Sequence, residues 1–210
     1  MKRTLVVMCP DLHSGHRHGL LNPDTVLDEI NQKGEIEKSY NPPLNPIQEY
    51  LWETYTTQIG EIAKDVGDKK NPTSLIVCFP GDLTAGNKYP QLLVSNRLAD
   101  QVVIGVANLL PWFRIPQLKM VRVIKGTGAH TFLNGSSEIL ITNQLKEMFP
   151  KVNIEVLAHS LLDVDEVKND IAHHGPPPGS RKWLEGNEMR YYLRDIMLKE
   201  LMAGAIPPRI

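Results

Sequence analysis

Short apolar runs recur along the chain, and each is bounded by proline, glycine or polar residues. The runs are rich in valine, isoleucine and leucine and are shorter than typical helices, so they predict buried strands of a mostly parallel sheet. The predicted strands lie at residues 4–9, 73–79, 120–124 and 153–158, and in a segment that ends at residue 175.

Segments with helical periodicity separate these runs. Ile59, Ile62 and Val66 fall on one face of the first segment, for example. The predicted helices are residues 46–67, 91–110, 136–149 and 187–202, the third of them capped by Ser136 or Ser137. Residues 22–46 are rich in proline and predict a long surface loop. The alternation of strands and helices predicts an α/β fold.

Composition and charge narrow the class of protein. The 210 residues are 41% hydrophobic and 22% charged, which is typical of a single globular domain, here residues 1–210. The net charge is -1 and only 6% of residues are aromatic, so binding to a nucleic-acid backbone is not favoured. Since no apolar run approaches the roughly 20 residues of a membrane span, we expect a soluble, cytoplasmic protein without a membrane partner.

Side chains that bind metals follow the carboxyl ends of the predicted strands. They are Asp11 and His13 after the first strand, Asp82 after the second, His130 after the third, and His173 and His174 after a late one. Because the carboxyl ends of parallel strands meet at one edge of a sheet, we expect these side chains to converge. Carboxylates and imidazoles together suit Zn, Mn, Fe or Ni.

The order of the short motifs D-L-H, G-D-L, G-T-x-x-H and H-H-G resembles that of the calcineurin-like metallophosphoesterases, and more narrowly their phage and prophage members. The resemblance covers residues 4 to about 195. It implies a four-layer α-β-β-α sandwich with two divalent metal ions, which hydrolyses phosphate monoesters or diesters. A phage protein of this kind would act in the cytoplasm of a bacterial host.

The resemblance also assigns roles to individual residues. Asp11 and His13 would bind the first metal, Asp82 would bridge the two, and His173 would bind the second. His130 would match a histidine of the family that binds no metal and acts as the general acid near the leaving-group oxygen.

Several ligand positions stay open at this point. His174 is an alternative to His173. The family's third motif contains a ligating asparagine that is absent from KGTGAH, and Thr127 or Asn87 are candidates to replace it. His16 and His18 are further candidates, although their polar loop is more simply explained by solvated side chains.

The end of the chain departs from the family pattern. The family closes with a G-H-x-H segment, whereas residues 176–210 contain no histidine. We therefore expect a C-terminally shortened chain with weakened metal binding. It would also have an unpaired sheet edge through which it could form oligomers.

Three functions follow from the sequence. The first is a metal-dependent phosphoesterase acting on a phosphate ester. The second is an inactive or weakly metal-binding phage accessory protein of the same fold. The third is a metal-dependent nuclease, which the charge and aromatic content disfavour.

Overall fold

A computed structural model describes residues 3–67, 73–132, 135–173, 187–202 and 204. The chain divides into two compact units, Met1–Ala158 and His159–Ile210. Within the described ranges, every helix is too short or too polar to span a lipid bilayer.

The first unit is built on a parallel sheet of four strands in the order β1-β4-β5-β6. The strands are β1 (Arg3–Met8), β4 (Thr73–Pro80), β5 (Leu118–Ile124) and β6 (Asn153–Leu157). The predicted α/β class with a parallel central sheet is confirmed. Because each of these strands follows the previous one in space as in sequence, β1 and β4 are neighbours whose carboxyl ends meet.

Three α-helices connect these strands: α1 (Pro46–Val66), α2 (Leu98–Phe113) and α3 (Ser136–Met148). Asn45 caps α1 through a capping box with Gln48, which agrees with the predicted start of that helix. A short 3-10 turn at Pro90–Leu92 precedes α2, so the predicted start at residue 91 was wrong. The residues between these two helices pair with another loop instead, since Val94 N–H donates to Gly15 O at 2.7 Å.

The start of α3 differs from the prediction as well. Its N-cap is Gly135 in a left-handed conformation, with φ 77°, and no side chain caps the helix. Ser137 is buried and donates to Glu138 Oε2 at 2.9 Å. The predicted serine cap was therefore wrong.

The predicted long loop before α1 contains an antiparallel hairpin of β2 (Leu27–Ile30) and β3 (Ile36–Tyr40). Asn31 fixes its turn, because its side-chain oxygen accepts from the N–H groups of Lys33 and Glu35. Leu27 packs with Leu21 and Ile104 in a small core of its own. The prediction of a long loop, which was based on the prolines, is therefore correct at the ends of this region and wrong at the two short strands within it.

The main core lies between the sheet and its helices. Strand β4 contributes an uninterrupted run of buried apolar side chains over residues 75–79, and β5 adds Val121, Val123 and Ile124, as expected for central parallel strands. Helices α2 and α3 approach closely at Gly105, which faces the side chain of Ile141. The core includes Leu75, Val77, Phe79, Val102, Val106, Leu109, Trp112, Val121, Val123, Ile141, Leu145 and Ile154.

The second unit contains a hairpin and a helix. Strands β7 (Ser160–Val164) and β8 (Val167–Ile171) pair antiparallel through a turn at Asp165 and Glu166, both with positive φ. Helix α4 is Asn187–Met202, as predicted. His159 contacts the carboxylate of Asp170 within this unit. The late segment that was predicted as a strand is thus the second arm of a hairpin.

Candidate metal centre

The loops after β1 and β4 continue to pair beyond the ends of the two strands. His13 N–H donates to Asp82 O at 3.0 Å and Ser14 N–H donates to Leu83 O at 2.8 Å. In the opposite direction, Ala85 N–H donates to Ser14 O at 3.0 Å. This ladder brings the predicted D-x-H and G-D motifs side by side at one edge of the sheet.

Three of the predicted ligands have a left-handed backbone conformation. The φ angles are 57° at Asp11, 45° at His13 and 47° at Asp82. Residues other than glycine rarely adopt this region, and when they do they cluster at functional sites. The continued ladder fixes these conformations, so the side chains are aimed before any ligand arrives.

The side chains of His13, Asp82 and His130 form one donor cluster. One ligand atom from each lies within 4.8 Å of the other two. The two imidazole rings meet edge to face, with ring centres 4.7 Å apart. A carboxylate oxygen of Asp11 lies within 4.8 Å of one from Asp82, so Asp82 neighbours all three of the other residues. The structure thus brings together Asp11, His13, Asp82 and His130.

Asp82 is only 4% exposed and is held by the loop after β5. Its Oδ1 accepts from the Thr127 N–H at 2.7 Å and from the Thr127 hydroxyl at 3.2 Å. Gly126 lies so close that an added Cβ would overlap the Asp82 carboxylate. Thr127, a candidate ligand in the sequence, therefore orients the Asp82 carboxylate in this structure. The first glycine of KGTGAH, Gly126, is explained by its close approach to Asp82.

His130 is oriented by a carbonyl group. Its Nδ1 lies 2.8 Å from Ala85 O, and since a carbonyl can only accept, Nδ1 carries the hydrogen. The Thr84 hydroxyl donates to His130 O at 2.6 Å, which anchors the backbone of the same residue. Nε2 is therefore the atom of His130 that is left for chemistry.

Glu138 is a fully buried carboxyl group that the sequence analysis missed. Ser137 donates to its Oε2, and Oε1 has no hydrogen-bond partner among the described residues. Burial raises the pKa of Glu138, and the charge of Asp82 adds to the rise; hydrogen bonds from Ser137 and from backbone N–H groups, including that of Gly126, oppose it. A glutamate in the first turn of a helix is ordinarily explained by the helix dipole, so its position in the sequence does not single out Glu138.

His16 and His18 lie beside this cluster. The His18 N–H donates to His16 Nδ1 at 3.0 Å, and the two rings are 5.5 Å apart. Burial lowers the pKa of His16, and the nearby rings of His18, His13 and His130 lower it further. His16 is half-buried, so a purely solvated loop is the wrong picture for it.

Asn87, His173 and His174 are the remaining predicted site residues. Asn87 is exposed and lines a separate cavity of about 310 Å³ with Lys88 and Phe132. His173 is half-buried in the second unit, just past β8. His174 lies outside the described residues.

The cluster suits a divalent cation. Two imidazole nitrogens and a carboxylate oxygen are the mixed donor set that Zn, Mn, Fe and Ni share. The second atoms of two donors already have partners: His130 Nδ1 bonds to a carbonyl, and Asp82 Oδ1 bonds to Thr127. Such outer contacts fix the orientation of metal ligands in proteins.

Comparisons of the chain with protein-family models, curated proteins and solved structures found no significant match.

Proposed function

We propose that the protein is a metal-dependent phosphoesterase that hydrolyses phosphate monoesters or diesters. The observation that carries the proposal is the cluster of His13, Asp82 and His130, with Asp11 beside Asp82. The cluster lies at the carboxyl edge of a parallel sheet, where α/β proteins place their ligands. The motif order that resembles the calcineurin-like metallophosphoesterases supports the choice of reaction, and the four-layer sandwich stays a prediction of that resemblance.

Asp82 is the residue best suited to serve two divalent cations, since it neighbours both Asp11 and the histidine pair. Cations held here would neutralise charge on the phosphoryl oxygens and make a water more acidic. Asp11 and His13 would bind one cation. The binding of the other by His173 stays a prediction of the resemblance. In the overall reaction, the water oxygen bonds to phosphorus, the ester P–O bond breaks and the alcohol leaves with a proton.

His130 is the residue that would supply that proton. With the Nδ1 hydrogen donated to Ala85 O, a protonated ring presents its second N–H at Nε2. This N–H can donate to the leaving oxygen as the P–O bond breaks, and the neutral ring can recover a proton afterwards. A ring nitrogen of His130 also lies within 4.8 Å of the ligand atoms of His13 and Asp82, so ligation is the competing role.

One experiment tests the proposal and separates these roles. Asp82→Asn should abolish most metal binding, because a neutral amide replaces the shared carboxylate. It should also lower the rate of hydrolysis of a nitrophenyl phosphodiester at least about 100-fold. His130→Ala should lower turnover by a similar factor while the metal content stays near wild type. Metal content is measured by elemental analysis after dialysis.

The matched controls are Asp163→Asn and His159→Ala, both exposed residues of the second unit. They should change neither quantity. Equal metal loss in the Asp82 and His130 variants would make His130 a ligand. A wild-type protein that binds Mn or Zn but hydrolyses no phosphate ester would reject the enzyme and favour the accessory protein.

A further inference from the structure

A cleft of about 360 Å³ opens directly beside the metal centre. His13 and His130 belong both to the donor cluster and to the lining of this cleft. The remaining wall includes His16 together with Tyr89, Leu92 and Leu93. A group attached to a phosphate at the centre would therefore border this cleft.

We propose that this cleft binds the alcohol portion of the ester and selects alcohols that carry an aromatic or other planar apolar group. The inference rests on the proposed phosphoesterase function and adds the substrate class to it. The cleft is within the size range of small-molecule sites, and it is large enough for a single ring system.

The wall of the cleft is built in advance. Arg17 N–H donates to Leu92 O at 2.8 Å, and Val94 N–H donates to Gly15 O at 2.7 Å. His16 and Leu93 also form an isolated antiparallel bridge between these bonds. The histidine loop and the loop before α2 are thus joined by backbone hydrogen bonds, which lowers the cost of ordering them around a ligand.

The chemistry of the wall decides the kind of alcohol. The Tyr89 ring, Leu92 and Leu93 offer apolar and aromatic surface, and aromatic rings favour other rings as partners. Because His16 Nδ1 accepts the His18 N–H, the neutral His16 ring carries its hydrogen on Nε2 and adds one donor.

Charge argues against an anionic alcohol portion. Among the residues that the structure describes, no lysine or arginine lines this cleft. Lys88 comes near, with its Nζ 5.4 Å from the centre of the Tyr89 ring, but it lines the neighbouring cavity. A second phosphate in the cleft would therefore meet imidazole rings but no lysine or arginine side chain, which are the usual cationic partners of such groups.

The test compares benzyl phosphate with ethyl phosphate, whose alcohols are of similar acidity. With Mn-loaded wild-type protein, kcat/KM should be higher for the benzyl ester. Tyr89→Ala should lower the benzyl-to-ethyl ratio of kcat/KM roughly 3- to 10-fold, as the loss of one aromatic contact would. Tyr89 is 47% exposed, so the variant should fold. Tyr50→Ala, at an exposed tyrosine of α1, is the control and should leave the ratio within about twofold.

A second readout does not depend on turnover. Calorimetric titration with benzylphosphonate and ethylphosphonate measures binding to the same protein. Tighter binding of the benzyl compound that Tyr89→Ala weakens supports the proposed cleft, even if no ester is hydrolysed. The absence of hydrolysis would reject only the proposed phosphoesterase function. Equal affinity for the two phosphonates, or a benzyl-to-ethyl ratio that Tyr89→Ala leaves unchanged, overturns the inference.

Discussion

Asp11, His13 and Asp82 each adopt a backbone conformation that costs an L-residue of order 1–3 kcal/mol. At His13 and Asp82, the hydrogen bonds between the two loops offset that cost. The sequence predicted these residues because it shows which residue types follow a strand. It did not predict their left-handed conformations or the Thr127 bond to Asp82, since both arise from loops distant in sequence.

The buried Glu138 leads to a prediction about stability and pH. Its folded-state pKa is raised above its ordinary value of 4.5, so its stabilising contribution is fully present below about pH 4.5 and is lost as pH rises. Glu138→Gln keeps the shape and the Ser137 partner but does not ionise. In metal-free protein, the variant should gain unfolding free energy relative to wild type between pH 4.5 and 7.5.

Thermal unfolding at the two pH values measures this gain, since about 1 kcal/mol shifts Tm by roughly 2–4 °C in a protein of this size. Glu147→Gln, at an exposed position of the same helix, is the control and should show no pH-dependent difference. If Glu138→Gln instead loses stability relative to wild type between pH 4.5 and 7.5, the folded protein stabilises the charged form of Glu138.

Helix α2 illustrates what separates predictable elements from unpredictable ones. Helix α1 carries its own start signal in Asn45 and Gln48, so local sequence placed it correctly. The residues before α2 belong to the same largely apolar segment and were predicted as part of the helix, yet Val94 pairs with Gly15 and the helix begins later. The β2–β3 hairpin was missed for a similar reason, because its apolar side chain Leu27 finds its partners in Leu21 and Ile104.

Gln101 connects α2 to the loops of the site and provides a prediction at this scale. It is fully buried; its Oε1 accepts from Ala85 and Gly86 N–H, and its Nε2 donates to the carbonyls of Gly86 and Ser95. Gln101→Leu would leave these backbone groups buried without a partner. Urea unfolding should show a loss of roughly 2–4 kcal/mol.

The Gln101 variant should also weaken Mn binding, because Ala85 supplies both the N–H that Gln101 holds and the carbonyl that orients His130. Gln58→Leu, at an exposed position of α1, should change stability by no more than about 0.5 kcal/mol. Full stability in Gln101→Leu would mean that the loop satisfies its own backbone groups.

On the scale of the whole chain, the division at Ala158 follows the distribution of the core. The parallel sheet, the main hydrophobic core and the cluster of His13, Asp82 and His130 all lie within Met1–Ala158. The sequence predicted one domain of residues 1–210 because nothing in its composition marks a boundary there. The boundary is defined by contacts between residues distant in sequence, which form only in the folded chain. The sequence around His159 looks like that of an ordinary turn.

The last prediction concerns a chain that ends at Ala158. A unit of this size buries about 70% of its unfolded surface, which is enough for independent folding. We expect the fragment to unfold cooperatively in a thermal melt followed by circular dichroism, and to bind Mn through His13 and Asp82. Asp82→Asn in the fragment should remove that binding, as in the full chain. If His173 is a ligand, as the motif resemblance implies, the fragment and full-length His173→Ala should show the same reduced metal content. A fragment without a cooperative transition would show that residues after Ala158 are required for the first unit to fold.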